Sequence, residues 1–128
     1  MTDRPIRLLV ADDHPVVRRG MSALLASLDG VEVVAEASTG AEALRVARDA
    51  GHVHLLVTDL SMPGMSGCEL AERLTRDHDE LRVLFLSGYG THELERVAGA
   101  RPESTFLEKP FSPSSLVCKL RELLRRAP

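Results

Sequence analysis

Leu55-Leu56-Val57-Thr58-Asp59, then Leu60-Ser61, then Met62-Pro63-Gly64-Met65-Ser66-Gly67: the fold of this chain turns on how this stretch is read. A short apolar run that closes on an acid, with a Pro-Gly turn behind it, reads as a buried strand ending in a polar loop. Three other runs end in the same manner. Ile6 to Ala11 closes on Asp12-Asp13, Val83-Leu84-Phe85-Leu86 on Ser87, and Thr105-Phe106-Leu107-Glu108 on Lys109-Pro110. In an open parallel sheet the carboxyl ends of the strands form the ligand crevice. If these strands are neighbours, three carboxylates, one hydroxyl and one ammonium converge there. Such a site has the chemistry to hold a hard cation and a phosphoryl group.

Working outward, strand and helix alternate five times. Ile6–Ala11 is the first strand, and Pro15 suits the first turn of the helix behind it. Val17, Met21, Leu24, Leu25 and Leu28 continue that helix at helical spacing until Asp29-Gly30 stops it. Val31–Ala37 is the second strand. Thr39 with Glu42, and later Ser66 with Glu69, are capping boxes. The first opens a helix with Ala43, Leu44 and Ala47 on one side, ended by Gly51. The second opens a helix carrying Leu70, Ala71 and Leu74. Thr91–Val97 reads as a weak helix with few apolar anchors. Ser104–Glu108 is the fifth strand, and Ser112 with Pro113 opens a last helix whose apolar face is Leu116, Val117, Leu120, Leu123 and Leu124. Five buried strands alternating with helices predict a doubly wound α/β domain with a parallel sheet of order 2-1-3-4-5. That order sets Asp12, Asp13 and Asp59 together at the switch point.

The bulk numbers agree with one domain. The chain has 128 residues, enough to bury a core without staples. Aromatics make up 3%, so the core must be aliphatic. The net charge is −3 with no long basic run, which argues against nucleic-acid binding by this segment. No apolar stretch approaches the ~18 residues of a membrane span, and the six-residue run behind Met1-Thr2-Asp3-Arg4-Pro5 is too short for a secretory leader. The expected location is cytoplasmic. Cys68 and Cys118 read as free thiols on helices covering opposite faces of the sheet. Lys109 and Lys119 are the only lysines among sixteen basic residues. A Lys at a strand end supplies a compact point charge where Arg would present a broad fork.

The acidic pair, the run Asp59-Leu60-Ser61-Met62-Pro63-Gly64-Met65-Ser66-Gly67, Ser87-Gly88 and Lys109-Pro110-Phe111 together resemble the receiver domain of bacterial two-component response regulators. The resemblance covers Ile6 to about Leu124 and implies a flavodoxin-like (βα)5 sandwich, one receiver domain over 1–128. It implies that Asp59 accepts a phosphoryl group from a phosphohistidine on a sensor histidine kinase or histidine phosphotransfer protein. The cofactor would be Mg²⁺, which takes oxygen ligands. Asp13 and Asp59 would bind it directly, Asp12 through water, and Ser61 through its backbone carbonyl. Lys109 and the Ser87 hydroxyl would meet phosphoryl oxygens, with the backbone N–H groups of Leu60 and Ser61 as further donors. The Lys109-Pro110 peptide is expected to be cis. Such a protein is a switch more than a turnover enzyme.

The chain also departs from that pattern. Phe106 stands where the family most often has a switch Tyr; it can turn inward with Ser87 but has no hydroxyl. Ala98-Gly99-Ala100 falls early, which lengthens the connection through Arg101–Thr105 and alters the face that many relatives use for homodimers. An aspartate-nucleophile hydrolase would want a second acid two residues after the nucleophile; that position is Ser61. Taken singly, Asp13 would serve as a cap for the helix at Pro15. His14 reads as a site-rim residue. His52 and His54, without a Cys at zinc spacing, read as rim residues too. A phosphorylation-independent interaction module is the alternative function. The output is open: the first half resembles receivers that precede DNA-binding domains, while Ser87-Gly88-Tyr89 and the segment from Phe106 to Phe111 resemble those of hybrid histidine kinases.

Overall fold

The computed structural model describes residues 4–78, 80–88, 96 and 104–125. The strands are β1 (Ile6–Ala11), β2 (Val31–Ala37), β3 (Leu55–Asp59), β4 (Arg82–Ser87) and β5 (Ser104–Glu108). The helices are α1 (Pro15–Ala26), α2 (Gly40–Ala50), α3 (Gly67–Asp77) and α4 (Pro113–Arg125). All neighbouring strands are parallel and the order is β2-β1-β3-β4-β5, as the sequence predicts. The expected helix over Thr91–Val97, the Ala98-Gly99-Ala100 run and the connection through Arg101 lie outside the described residues, apart from Arg96.

Adjacent residues along the central strands feed opposite cores, as the strand pleat dictates. Leu9, Leu56, Val83 and Phe85 face α2 and α3, where they meet Ala43, Ala47, Leu70 and Leu74. Leu8, Val10, Leu55, Val57, Leu84 and Leu86 face α1 and α4, against Leu25, Leu116, Leu120 and Leu123. Nearly all are fully buried aliphatic side chains, each stabilising the fold by roughly 1.5–3 kcal/mol. Burial on both faces explains why these strands read as continuous apolar runs. The second strand differs from that expectation. β2 is an edge strand, mostly half-buried, with Glu32 and Glu36 exposed, and its register with β1 slips between Leu8 and Leu9.

The capping signals hold with small corrections. Thr39 Oγ1 accepts the Glu42 N–H at 3.1 Å and Ser66 Oγ accepts the Glu69 N–H at 3.2 Å. The return bonds differ: Glu42 Oε1 takes the Ser38 N–H at 2.7 Å, and Glu69 reaches Arg73 at 2.7 Å. At α4, Ser112 Oγ accepts the Ser115 N–H at 3.1 Å. α1 ends at Ala26, ahead of the Asp29-Gly30 signal, because Ser27 closes the last turn through Leu24 O; Gly30 supplies the positive φ of the following turn. Cys68 and Cys118 are not joined in a disulfide and sit on helices that pack against opposite faces of the sheet. Among the described residues no helix is long and apolar enough to cross a membrane.

Candidate functional site

The carboxyl ends of β1, β3 and β5 bring the predicted acids and the lysine to one point. Asp12 directly follows β1, and its N–H continues the sheet by bonding Ala37 O at 3.0 Å. Asp59 is the last residue of β3 and pairs in register with Leu86. Lys109 follows β5 and is held by its N–H to Ser87 O at 2.8 Å. From there Lys109 Nζ donates to Asp12 Oδ2 and to Asp59 Oδ2, each at 3.2 Å. Asp12 is fully buried and Asp59 nearly so. The Lys109-Pro110 peptide is cis, as expected.

Charge is unbalanced here. Burial pushes the Asp59 carboxyl above its ordinary range; the Lys109 ammonium pulls it back, Asp12 raises it further, and the Ser61 N–H lowers it. One ammonium faces three carboxylates. Asp13 Oδ1 is a buried oxygen that accepts no hydrogen bond. An orphaned carboxylate oxygen beside two further carboxylates is the donor set a hard divalent cation takes. Ligand atoms of Asp12, Asp13, His14 and Asp59 all lie within 4.8 Å of one another. The residues present therefore fit Mg²⁺.

Several expectations change in detail. Asp13 is not the cap of α1: the N-cap is His14, which makes no side-chain cap bond, and Pro15 fills the first turn. The Leu60 N–H cannot donate to a ligand as expected, because it extends the ladder past Asp59 to Leu86 O at 3.0 Å. The Ser61 N–H is aimed at Asp59 Oδ1 at 3.3 Å. Ser87 is buried one residue beyond the strand partner of Asp59. Phe106 is half-buried and stacks on Phe85, with ring centroids 5.5 Å apart and planes at 28°. His52 and His54 are not at this rim. They lie at the amino end of the sheet, beside His78.

Two residues were underread from the sequence. His14 reaches into the acidic group, with Nδ1 3.0 Å from Asp12 Oδ1; its position two residues after a buried Asp was the available signal, since Asp side chains bond the backbone two residues on. Gly67 lies against the Asp59 backbone, where an added Cβ would collide with the Asp59 carbonyl oxygen, and its N–H bonds Leu60 O at 2.9 Å. The last Gly of the turn thus lets α3 start directly behind the acid.

A five-stranded parallel sheet with a buried Asp-Asp-Lys cluster at its switch point defines the receiver class of α/β domains. The chain belongs to the response regulator receiver domain family, which matches residues 8–121. It is 40% identical over 82 residues to the response regulator GacA of Pseudomonas viridiflava, covering 64% of this chain and 38% of that protein. It is 30% identical to the response regulator UvrY of Escherichia coli O6:H1, covering 92% of this chain and 54% of that protein. The chain thus spans about half or less of the length of these curated relatives. The signal receiver domain of the putative response regulator NarL from Mycobacterium tuberculosis superposes with a TM-score of 0.79 at 29% identity, covering 96% of this chain and 99% of that one.

Proposed function

We propose that this domain is the phosphoacceptor of a two-component phosphorelay, with Asp59 as the residue phosphorylated. The observation that carries the reading is Lys109 Nζ bridging buried Asp12 and Asp59 beside the orphaned Asp13 oxygen. An Asp59 oxygen would attack the phosphorus of a phosphohistidine. The O–P bond of an acyl phosphate forms, the P–N bond breaks, and the donor nitrogen keeps the electron pair. Bound Mg²⁺, held by Asp13, Asp59, the Ser61 carbonyl and Asp12 through water, would offset the charge of acid and phosphoryl group. Lys109 would leave its carboxylate partners to pair with a phosphoryl oxygen, and the Ser61 N–H already points at the acid. Ser87 would donate its hydroxyl to another oxygen. The chemistry asked of the protein is positioning and charge neutralisation.

The signal would leave through β4 and β5. As Ser87 moves toward the phosphoryl group, Phe106 would give up part of its stack on Phe85 and turn inward, a change comparable with coupling energies of about 1–3 kcal/mol. The acting unit would be one cytoplasmic receiver domain over 1–128, with its core at about 6–124. Its partners would be a sensor histidine kinase or histidine phosphotransfer protein and an output domain or downstream protein. A homodimer is compatible with this reading, and direct nucleic-acid binding by the segment is not part of it. Intact mass after incubation with Mg²⁺ and a small phosphodonor tests the assignment. One phosphoryl unit should be gained, and Asp59→Asn should gain none. Undiminished labelling of that variant overturns the assignment; no labelling of either leaves the interaction-module reading.

A further inference from the structure

Among the described residues, His14 is the one side chain in the acidic group that offers a metal a nitrogen lone pair. Its Nδ1 lies 3.0 Å from Asp12 Oδ1, 3.1 Å from Asp13 Oδ1 and 3.8 Å from Asp59 Oδ2. Three carboxylate oxygens, two from the turn after β1 and one from the end of β3, therefore lie around one imidazole nitrogen. The ring itself is 61% exposed, so little packing resists a small movement. A cation seated among the same oxygens, at metal–oxygen distances of about 2.0–2.2 Å, falls within reach of that nitrogen. Mg²⁺ gains little from imidazole and prefers oxygen or water. Mn²⁺ is served well by oxygen too but gains from a nitrogen ligand, and Co²⁺, higher in the Irving–Williams order, gains more.

The geometry points to His14 as a nitrogen ligand that sets metal preference: it biases this site toward a borderline divalent ion such as Mn²⁺ or Co²⁺ over Mg²⁺. The inference rests on the cation site proposed above. For Mg²⁺ the imidazole has to swing outward, losing its contact with Asp12 and gaining none. For Mn²⁺ or Co²⁺ the lost contact is replaced by a metal–nitrogen bond. The effect is on the ratio of affinities, because any change in Asp12 caused by removing the ring acts on all ions alike.

Calorimetric titration of the full chain with Mg²⁺, Mn²⁺ and Co²⁺ at one fixed pH of about 8 reads this directly. The preference for Co²⁺ and Mn²⁺ over Mg²⁺ should fall about tenfold in His14→Ala, the lower end of what metal-site substitutions remove. Pulsed EPR of bound Mn²⁺ should show nitrogen modulation in the wild type and none in His14→Ala. Asp13→Asn should weaken all three ions. An unchanged preference with all three ions bound, or bound Mn²⁺ without nitrogen modulation, overturns the role of His14 and leaves the cation site standing. Failure of the wild type to bind any of the ions overturns both.

Discussion

The two ends of this sheet solve opposite electrostatic problems. At the carboxyl end, Asp12, Asp13 and Asp59 crowd around a single Lys109 ammonium, and Asp13 Oδ1 accepts no hydrogen bond although His14 Nδ1 lies 3.1 Å away. At the amino end, His52, His54 and His78 gather beside Arg7, with the His52 ring 4.5 Å from that of His54 and 5.7 Å from that of His78. There the polar groups are matched. His54 Nδ1 accepts the Arg7 N–H at 2.9 Å, and His78 Nδ1 accepts the Val53 N–H at 3.4 Å. The Arg7 side chain in turn donates to His52 O at 2.8 Å and Ala50 O at 2.6 Å. Both Nδ1 atoms act as acceptors, so both rings are held neutral. Burial, then the neighbouring His52, keeps His54 and His78 below the usual imidazole range. One end satisfies its own backbone; the other stores repulsion that a ligand can relieve. This is the expected division between scaffold and site.

The contrast can be broken most sharply at Lys109. Lys109→Ala removes the only ammonium between two buried acids, and the metal-free domain should lose about 3–5 kcal/mol, the cost of leaving buried charge unpaired. Adding Asp59→Asn should restore a large part of it. Urea unfolding of both variants gives the answer, and simple additivity would mean that the site stores no such repulsion.

Next in size is the cation itself. With the proposed site formed only in the folded state, Mg²⁺ at about a hundred times its dissociation constant should stabilise the domain by about 2.7 kcal/mol. Thermal unfolding of an Asp13→Ala Asp59→Ala variant should show no such shift. An equal shift there would move the cation elsewhere.

Asp59→Asn alone should stabilise the metal-free domain by about 1 kcal/mol near neutral pH, removing a desolvated charge. The sign follows from its raised folded-state pKa. The favourable contribution of Asp59 is complete below its unfolded pKa and is lost as pH rises through the folded value. The gain in the Asn variant should therefore vanish in acid.

The histidines should give the smallest effect, with the opposite sign. Their folded pKa values are lowered. Their contribution is present above the unfolded value of about 6.5 and is lost as pH falls from there through the folded values. In an Asp59→Asn background, stability should drop between neutral pH and about 5.5 by under about 1 kcal/mol, because solvent screens these partly exposed rings. Replacing His54 and His78 with Asn, whose side-chain oxygen can still accept an N–H, should flatten that slope. A slope unchanged by both substitutions would remove the amino end from the comparison.

Much of this molecule is legible in local pattern. Buried runs of five or six residues, Thr39 and Ser66 as caps, and Gly51 as a stop specify strands and helices without reference to distant residues. The acids and the lysine were legible as well, because strand ends are visible as the place where an apolar run stops. What sequence could not specify is register between distant strands. Lys109 stands 97 residues from Asp12 and 50 from Asp59 along the chain, yet one ammonium reaches both. Leu60 keeps its N–H in the ladder only because β3 and β4 align at Asp59 and Leu86. Phe106 stacks on Phe85 because β4 and β5 pair those two residues. His78 joins His52 and His54 only through the return of α3 to the amino end. Side-chain periodicity fixes which face a residue takes, but a pattern repeating every two residues is indifferent to how far one strand slides past another in steps of two. Helix packing and loop length set that slide, so the sequence determined the parts and the tertiary structure decided which of them meet.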